Sequence, residues 1–289
     1  MSDEPADVVR RLSGVDGTVL EAHGTVLRMR LADGRIGVLK AAPGQALAEA
    51  AGLRWLAEPG VVPVPDVFGH DEDWLLVEYL PGTRPGAAAA TRFGHDLAAL
   101  HSSGAPAFGA GPPGGPEQAW IGPAPMDTDA GDHWPSWYAE HRVLPYLRMA
   151  RDAGSLDTDE THTVEAAADT LRERPAIAGP PVPPARLHGD LWSGNVLWSG
   201  TRAWVIDPAA HGGHPETDLA MLALFGAPEL RAILAGYQEV APLAPGWPER
   251  IGLHQLFPLL VHVVLFGGTY SGQAVAAARS VLELADRIP

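Results

Sequence analysis

Over the first eighty residues apolar positions mostly alternate with polar ones, and beyond that point they recur at helical spacing. Residues 18–21, 26–31 and 36–40 read as strands, with Asp33-Gly34 marking a tight hairpin between the last two. A short amphipathic helix is expected before them, over residues 3–12. Ala46, Ala50, Leu53, Leu56 and Ala57 share one face of a helix, and two further strands follow at 64–69 and 74–79. The pattern predicts an antiparallel meander of five strands with one helix inserted after the third. Leu80-Pro81-Gly82 stops both helix and strand and divides the chain into residues 1–80 and 81–289. The second part reads as helical, over 91–101, 132–153, 157–174, 215–224, 228–240, 248–267 and 272–288. Residues 102–125, rich in Gly and Pro, show no period and predict a long loop without regular structure. The fold class that results is α+β: a small sheet lobe followed by a mainly helical one.

Composition narrows the partners. Hydrophobic residues make up 46% of the 289, enough for a proper core. A net charge of −15 without any local basic stripe argues against nucleic acid and anionic membranes. The longest apolar run, 256–268, is interrupted by Pro258 and His262 and falls short of a membrane span. The chain begins Met-Ser-Asp-Glu-Pro without a basic and apolar leader, and it contains no cysteine. Disulfides and thiolate metal sites are thereby excluded, and a cytoplasmic location is expected.

The chemistry concentrates in Leu187-His188-Gly189-Asp190-Leu191-Trp192-Ser193-Gly194-Asn195, followed by a strand over 203–206 and then Asp207-Pro208-Ala209. An acid, four residues, an amide, a hairpin and a second acid at a strand end answer the needs of phosphoryl transfer. That reaction requires a carboxylate to orient the attacking hydroxyl and accept its proton, together with oxygen ligands for Mg²⁺. Asp190 suits the first role. Asn195 and Asp207 suit the second, as hard donors for a hard cation. His188 is placed to brace the loop. Asp218, opening a later helix, either accepts hydrogen bonds from loop amides or complements the helix dipole.

The sheet lobe offers matching parts. The period of two puts Val38 and Lys40 on one strand face, so that Val38 would roof an adenine while Lys40 reaches the phosphates of ATP. Glu49, in the next helix, would pair with Lys40. Taken alone, Lys40 reads more readily as a solvated strand-end lysine and Glu49 as a solvated helix glutamate; their order before the catalytic loop favours the pair. Glu78-Tyr79-Leu80 ends the last strand, where backbone groups would meet the adenine or simply form a sheet edge. Ala22-His23-Gly24-Thr25 is too short and too poor in glycine to cover phosphates as a Gly-rich loop does, and it reads as a plain hairpin.

These segments resemble the fructosamine (ketosamine) kinases, a branch of the aminoglycoside-phosphotransferase and protein-kinase-like group. The likeness is closest around His188 to Asn195 and Ile206 to Ala209, and continues through His214, Glu216, Phe225-Gly226, Trp120-Ile121-Gly122, Trp134 and Arg142. It implies a two-lobed kinase fold, ATP with Mg²⁺, and phosphorylation of a sugar hydroxyl of a ketoamine, giving an unstable phosphate that frees the amine. Carried over by position, Asp190 is the base, Asn195 and Asp207 hold metal, and Lys40 with Glu49 anchors phosphate. Trp192 would pack on the sugar; tryptophan is commonly buried as core, but its place two residues after the base favours substrate contact. His262 matches a late-helix histidine, for which substrate contact and a core role stand side by side. The family's longer Gly-rich N-terminal turn is shortened here. Val261, Val263 and Val264 replace the aromatic and polar neighbours usual around that histidine. An aminoglycoside or a choline-like alcohol therefore stays open as the acceptor, as does a nucleotide-binding module without turnover.

Overall fold

The computed structural model of the chain describes residues 4–288. Helix α1 spans Pro5–Ser13, with a proline in its first turn and Gly14 closing it in the left-handed region; the predicted start at Asp3 lies outside the described residues. Its Val8 and Val9 are fully buried beneath the sheet. Strands β1 (Gly17–His23), β2 (Val26–Leu31) and β3 (Ile36–Ala41) follow, then α2 (Ala46–Ala57), β4 (Val67–His70) and β5 (Trp74–Glu78). The β2–β3 hairpin turns where Gly34 takes φ 92° and the Asp33 carboxylate accepts from the Arg35 amide at 3.1 Å.

All five strands pair antiparallel, in the order β1-β2-β3-β5-β4. This departs from the predicted meander. The chain leaves β3 through α2 and returns at the edge as β4, so β5 slots between β3 and β4. Sequence spacing reports a strand's existence but not its neighbour. The sheet lobe carries both expected helices, α1 ahead of β1 and α2 after β3.

Beyond α3 (Ala87–Ser102) the Gly/Pro-rich stretch is not structureless. Strands β6 (Ala119–Ile121) and β7 (Ala124–Met126) form a hairpin, and Phe108 bridges to Gly131. Phe108, Ile121 and Met126 are buried; three-residue strands are simply too short to display a period. The helix predicted over 132–153 is three pieces: α4 (Trp134–Tyr138), a π turn over Ala139–Val143, and α5 (Leu144–Asp152). Pro145 has no amide proton to give to the ladder, which fits a break at that point.

Helix α6 (Thr158–Glu173) starts with a capping box between Asp157 and Glu160. Strands β8 (Ala185–Leu187), β9 (Val196–Ser199), β10 (Arg202–Val205) and β11 (His211–Gly213) form two short ribbons, and α7 (Pro215–Leu224), α8 (Leu230–Val240), α9 (Ile251–Phe266) and α10 (Ser271–Arg287) complete the chain. The helical stretch Trp247–Arg287 is, by length and composition, apolar enough to cross a membrane, which the interruptions at Pro258 and His262 concealed. Here α9 is a core helix, with Leu253, Leu256, Phe257 and Leu260 buried against α5, α7 and α10. A second core joins Trp55 and Leu56 of α2 to Phe93, Val205, Leu219 and Tyr237, and so ties the sheet lobe to the helical one.

Candidate active site

Strand β8 runs antiparallel to β11, with Leu187 opposite His211, and releases the chain at His188 into a tight loop. Gly189 sits at φ 83°, and a Cβ there would lie 2.1 Å from the Ala209 carbonyl oxygen, so only glycine fits. The loop hangs from Asp218 in the first turn of α7. The His188 and Gly189 amides donate to the two Asp218 carboxylate oxygens at 2.8 and 3.0 Å. His101 Nε2 donates to the same carboxylate at 3.1 Å, and its Nδ1 lies 2.9 Å from the Tyr237 hydroxyl. Burial pushes the Asp218 carboxyl up, but the His101 and Gly189 hydrogen bonds and the neighbouring imidazoles outweigh it and hold it below the usual range.

His188 is wholly buried. Its Nε2 donates to the Ile206 carbonyl at 2.8 Å, which leaves Nδ1 to accept the Asp190 amide at 3.3 Å. Burial holds this imidazole below its ordinary pKa, so the ring bridges the two halves of the loop uncharged. The Asn195 amide donates to the Asp190 backbone oxygen at 2.9 Å and to its carboxylate at 3.1 Å. Burial pushes the Asp190 carboxyl up to about 7; the Asn195 bond opposes this, while Asp207 and Asp218 add like-charge repulsion. A carboxyl poised there changes protonation state near neutrality, as a proton acceptor should.

Asp207 follows β10 and adopts φ 53°, a left-handed conformation uncommon for a residue with a side chain. That turn brings its carboxylate to the Lys40 ammonium, which also pairs with Glu49. Burial alone would lower the Lys40 pKa, but the two carboxylates outweigh it and keep the ammonium charged. Burial pushes Glu49 up, against the pull of Lys40. Helix α2 approaches this segment closely: a Cβ at Gly52 would meet the Pro208 ring at 3.1 Å.

Lys40, Glu49, Asp190, Asn195 and Asp207 all line one cavity of about 230 Å³. A neighbouring cavity of about 210 Å³ runs between the lobes, walled by Val38, Val77, Leu197 and Ile206 and edged by Glu78, Tyr79 and Leu80. The Glu78 amide is taken by the Asp66 carbonyl at 2.8 Å and that of Tyr79 by Ile36 at 3.0 Å. Of the three, the Leu80 amide has no hydrogen-bond partner among the described residues.

Trp192, two residues from Asp190, and His262 both stand against the Phe225 ring, at 6.2 and 5.2 Å. Trp192 is 39% exposed, which departs from the core reading weighed for it. Sequence reasoning assigned no role to Trp120 and Gly122, whose hairpin closes the catalytic cavity, nor to Phe225. The only signal for them was their presence in the segments of resemblance. A second group, His214, Glu216 and His254, has donor atoms close enough for a metal. Its carboxylate is already occupied by Arg250, at 2.9 Å through one oxygen. His214 caps α7 by accepting the Glu216 amide. A cation beside the Arg250 guanidinium would be repelled, so this cluster reads as a buried salt bridge.

The fructosamine kinase family model matches residues 41–284, beginning one residue after Lys40. A probable ketoamine kinase of Synechocystis is 34% identical over 243 residues, covering 82% of this chain and 78% of that protein. One from Thermus thermophilus is 33% identical over 261 residues, covering 89% and 91%. The crystal structure of a Thermobifida fusca protein assigned as a fructosamine-3-kinase superposes with a TM-score of 0.89 at 48% identity, covering 97% of this chain and 99% of that one. A gentamicin complex of an aminoglycoside phosphotransferase superposes at 0.62 with 13% identity, covering 98% and 97%, a likeness of fold alone.

Proposed function

Since the chain belongs to the fructosamine kinase family, and is therefore a phosphotransferase, we propose that it moves the γ-phosphate of ATP onto a sugar hydroxyl of a ketoamine. The phosphate ester so formed is unstable and releases the amine. One observation carries this reading: Lys40, Glu49, Asp190, Asn195 and Asp207, drawn from both lobes, meet on a single cavity. In this reading residues 1–80 hold the nucleotide and residues 81–289 hold the acceptor, in the cytoplasm where ATP is at hand.

Val38, Val77, Leu197 and Ile206 would sandwich the adenine, with the Leu80 amide as donor to the purine edge. Lys40, kept charged and oriented by Glu49, would reach the phosphates once the nucleotide displaces Asp207 from it. The donor set fits Mg²⁺. Asn195 spends its amide nitrogen on Asp190, which leaves its carbonyl oxygen free, and Asp207 uses one carboxylate oxygen on Lys40 and keeps the other. Bound there, the ion would neutralise charge on the phosphate oxygens. Asp190 would orient the sugar hydroxyl and accept its proton as the new bond forms. His188, Asp218 and Asn195 hold that carboxylate in place, and the exposed Trp192 face would pack on the sugar ring.

The test is turnover of ATP with Mg²⁺ against fructosyl-lysine, ribulosyl-lysine, a fructosyl-morpholine, choline and an aminoglycoside. Turnover with the ketoamines supports the reading. Turnover with choline or the aminoglycoside alone would move the substrate elsewhere within the same fold, and ATP binding without turnover of any acceptor would favour a binding module.

A further inference from the structure

Beyond Trp192 stands a wall of rings, next to the hairpin that lines the cavity: a Cβ at Gly122 would lie 3.6 Å from Leu265, the neighbour of Phe266. Phe225 ends α7, the helix that carries Asp218 at its other end. His262 and Phe266 stand one turn apart at the end of α9, and Tyr270 closes the 3₁₀ turn that follows. Phe225 lies 5.2 Å from His262 and 6.3 Å from Tyr270, and Tyr270 lies 4.9 Å from His262 and 6.0 Å from Phe266.

Three features of this wall stand out. Among the described residues, the exposed large aromatic side chains are Trp192, Phe225 and Phe266, at 39%, 36% and 60%, and all three belong to it. Contiguous exposed apolar surface beside a cleft marks a binding surface. Among the described residues, no carboxylate pairs with any of these rings, in a chain of net charge −15. His262 Nδ1 donates to the Pro258 carbonyl at 2.7 Å, so in the uncharged ring Nε2 is left as an acceptor.

We propose that Phe225, Phe266 and Tyr270, grouped around His262, receive the protonated amine of the acceptor and its first methylene groups. The proposal rests on the ketoamine reading above and deepens it. The wall begins at Trp192, two residues from Asp190, and runs outward to the exposed Phe266. A ketose packed on Trp192 with one hydroxyl at Asp190 would therefore extend its amine along these rings. Aromatic faces attract an ammonium through their quadrupole, and methylenes pack on them as well. The His262 Nε2 lone pair and the Tyr270 hydroxyl oxygen are the acceptors these side chains offer to an N–H. Selection would then fall on an amine with an apolar stem.

The experiment compares two acceptors with the same ketose, a 1-alkylamino-1-deoxyfructose and its 1-O-alkyl ether, by the ratio of their kcat/KM values. The wild type should favour the amine. In Phe266→Ala and Tyr270→Leu the ratio should fall by roughly 2- to 30-fold, the range of a cation–aromatic contact, and Tyr270→Phe should retain it. Phe266 is mostly exposed, so its variant also serves where Tyr270→Leu proves unstable. Ketoamine turnover with a ratio that neither substitution moves would overturn the wall alone. Absence of ketoamine turnover in the wild type would overturn the ketoamine reading and the wall with it.

Discussion

Asp190 and Lys40 face the same cavity, yet they are secured by different means. Asp190 sits on a loop held from behind by buried partners: Asp218 takes two loop amides, His188 ties the loop to Ile206, and Asn195 clasps the carboxylate. These contacts join β8, β10 and α7 in the helical lobe. Lys40 stands on β3 opposite the exposed Val26 of β2, with the exposed Val19 and Leu20 of β1 beyond. Its ammonium is held by the charges of Glu49 and Asp207. The floor is thus held rigid from behind, as the proposed base would need, since small displacements of a reacting hydroxyl cost rate. The roof is held by ion pairs that, in the proposed reading, a nucleotide would exchange for its own phosphates.

The contrast predicts its largest effect at Asp218. Asp218→Ala leaves two loop amides and His101 buried without an acceptor, and should cost on the order of 3–5 kcal/mol in denaturant unfolding. A loss under about 1 kcal/mol would mean that the floor is not held as described.

Acid should weaken the floor next. Burial, helped by Arg142, holds His211 down to about 4 from an ordinary 6.5, and burial lowers His188, His214 and His254 as well. The unfolded chain binds these protons first, so stability present above pH 6.5 is lost as pH falls through about 4. His211 alone accounts for about 3 kcal/mol at roughly 1.4 kcal/mol per unit. Glu216, which burial would raise but His254 and Arg250 hold down to about 2, extends the loss from pH 4.5 toward 2. Asp190, raised to about 7, runs the other way over the same range. The loss is therefore read in an Asp190→Ala background, where a flat unfolding free energy between pH 7 and 4 would contradict this account.

The roof should respond in binding more than in stability. Asp207→Ala should weaken ATP affinity by roughly 10- to 100-fold in the presence of Mg²⁺, the scale on which metal sites respond to altered ligands. Affinity measured without the ion should change far less, and an unaltered Mg²⁺ dependence would remove Asp207 as a ligand. The smallest effect belongs to the turn above the phosphates. His23 pairs with Val26, so Gly24 and Thr25 form a two-residue hairpin with Gly24 at φ 60°. Thr25→Ala should stay within about 0.5 kcal/mol of wild-type stability, with little change in the KM for ATP; a large rise in that KM would assign this turn a phosphate-covering role.

The same contrast separates what the sequence revealed from what it hid. The floor is written in one local segment: the interval from Asp190 to Asn195 and the hairpin to Asp207 survive as spacings along the chain. Lys40 and Glu49 were legible because a strand of period two and the next helix place them independently of the rest. The pairing of β3 with β5 was not legible, since it depends on which edge the chain rejoins after α2. Trp120 reaches the cavity on a hairpin too short to show alternation. Phe225, His262 and Tyr270 come together only through the packing of α7 on α9, so their common surface has no counterpart in any sequence window.

The most direct test of the account is a paired measurement on Asp190→Ala: ATP affinity in the presence of Mg²⁺, and transfer of labelled γ-phosphate to fructosyl-lysine. A positioned proton acceptor contributes roughly 10²- to 10⁴-fold, so transfer should fall by that factor while ATP affinity stays close to wild type. Thermal stability at pH 8 should rise, because a buried carboxyl raised to about 7 is charged there at a cost. Transfer that survives the substitution would contradict the assignment of Asp190 as the base, and with it the reading of this cleft.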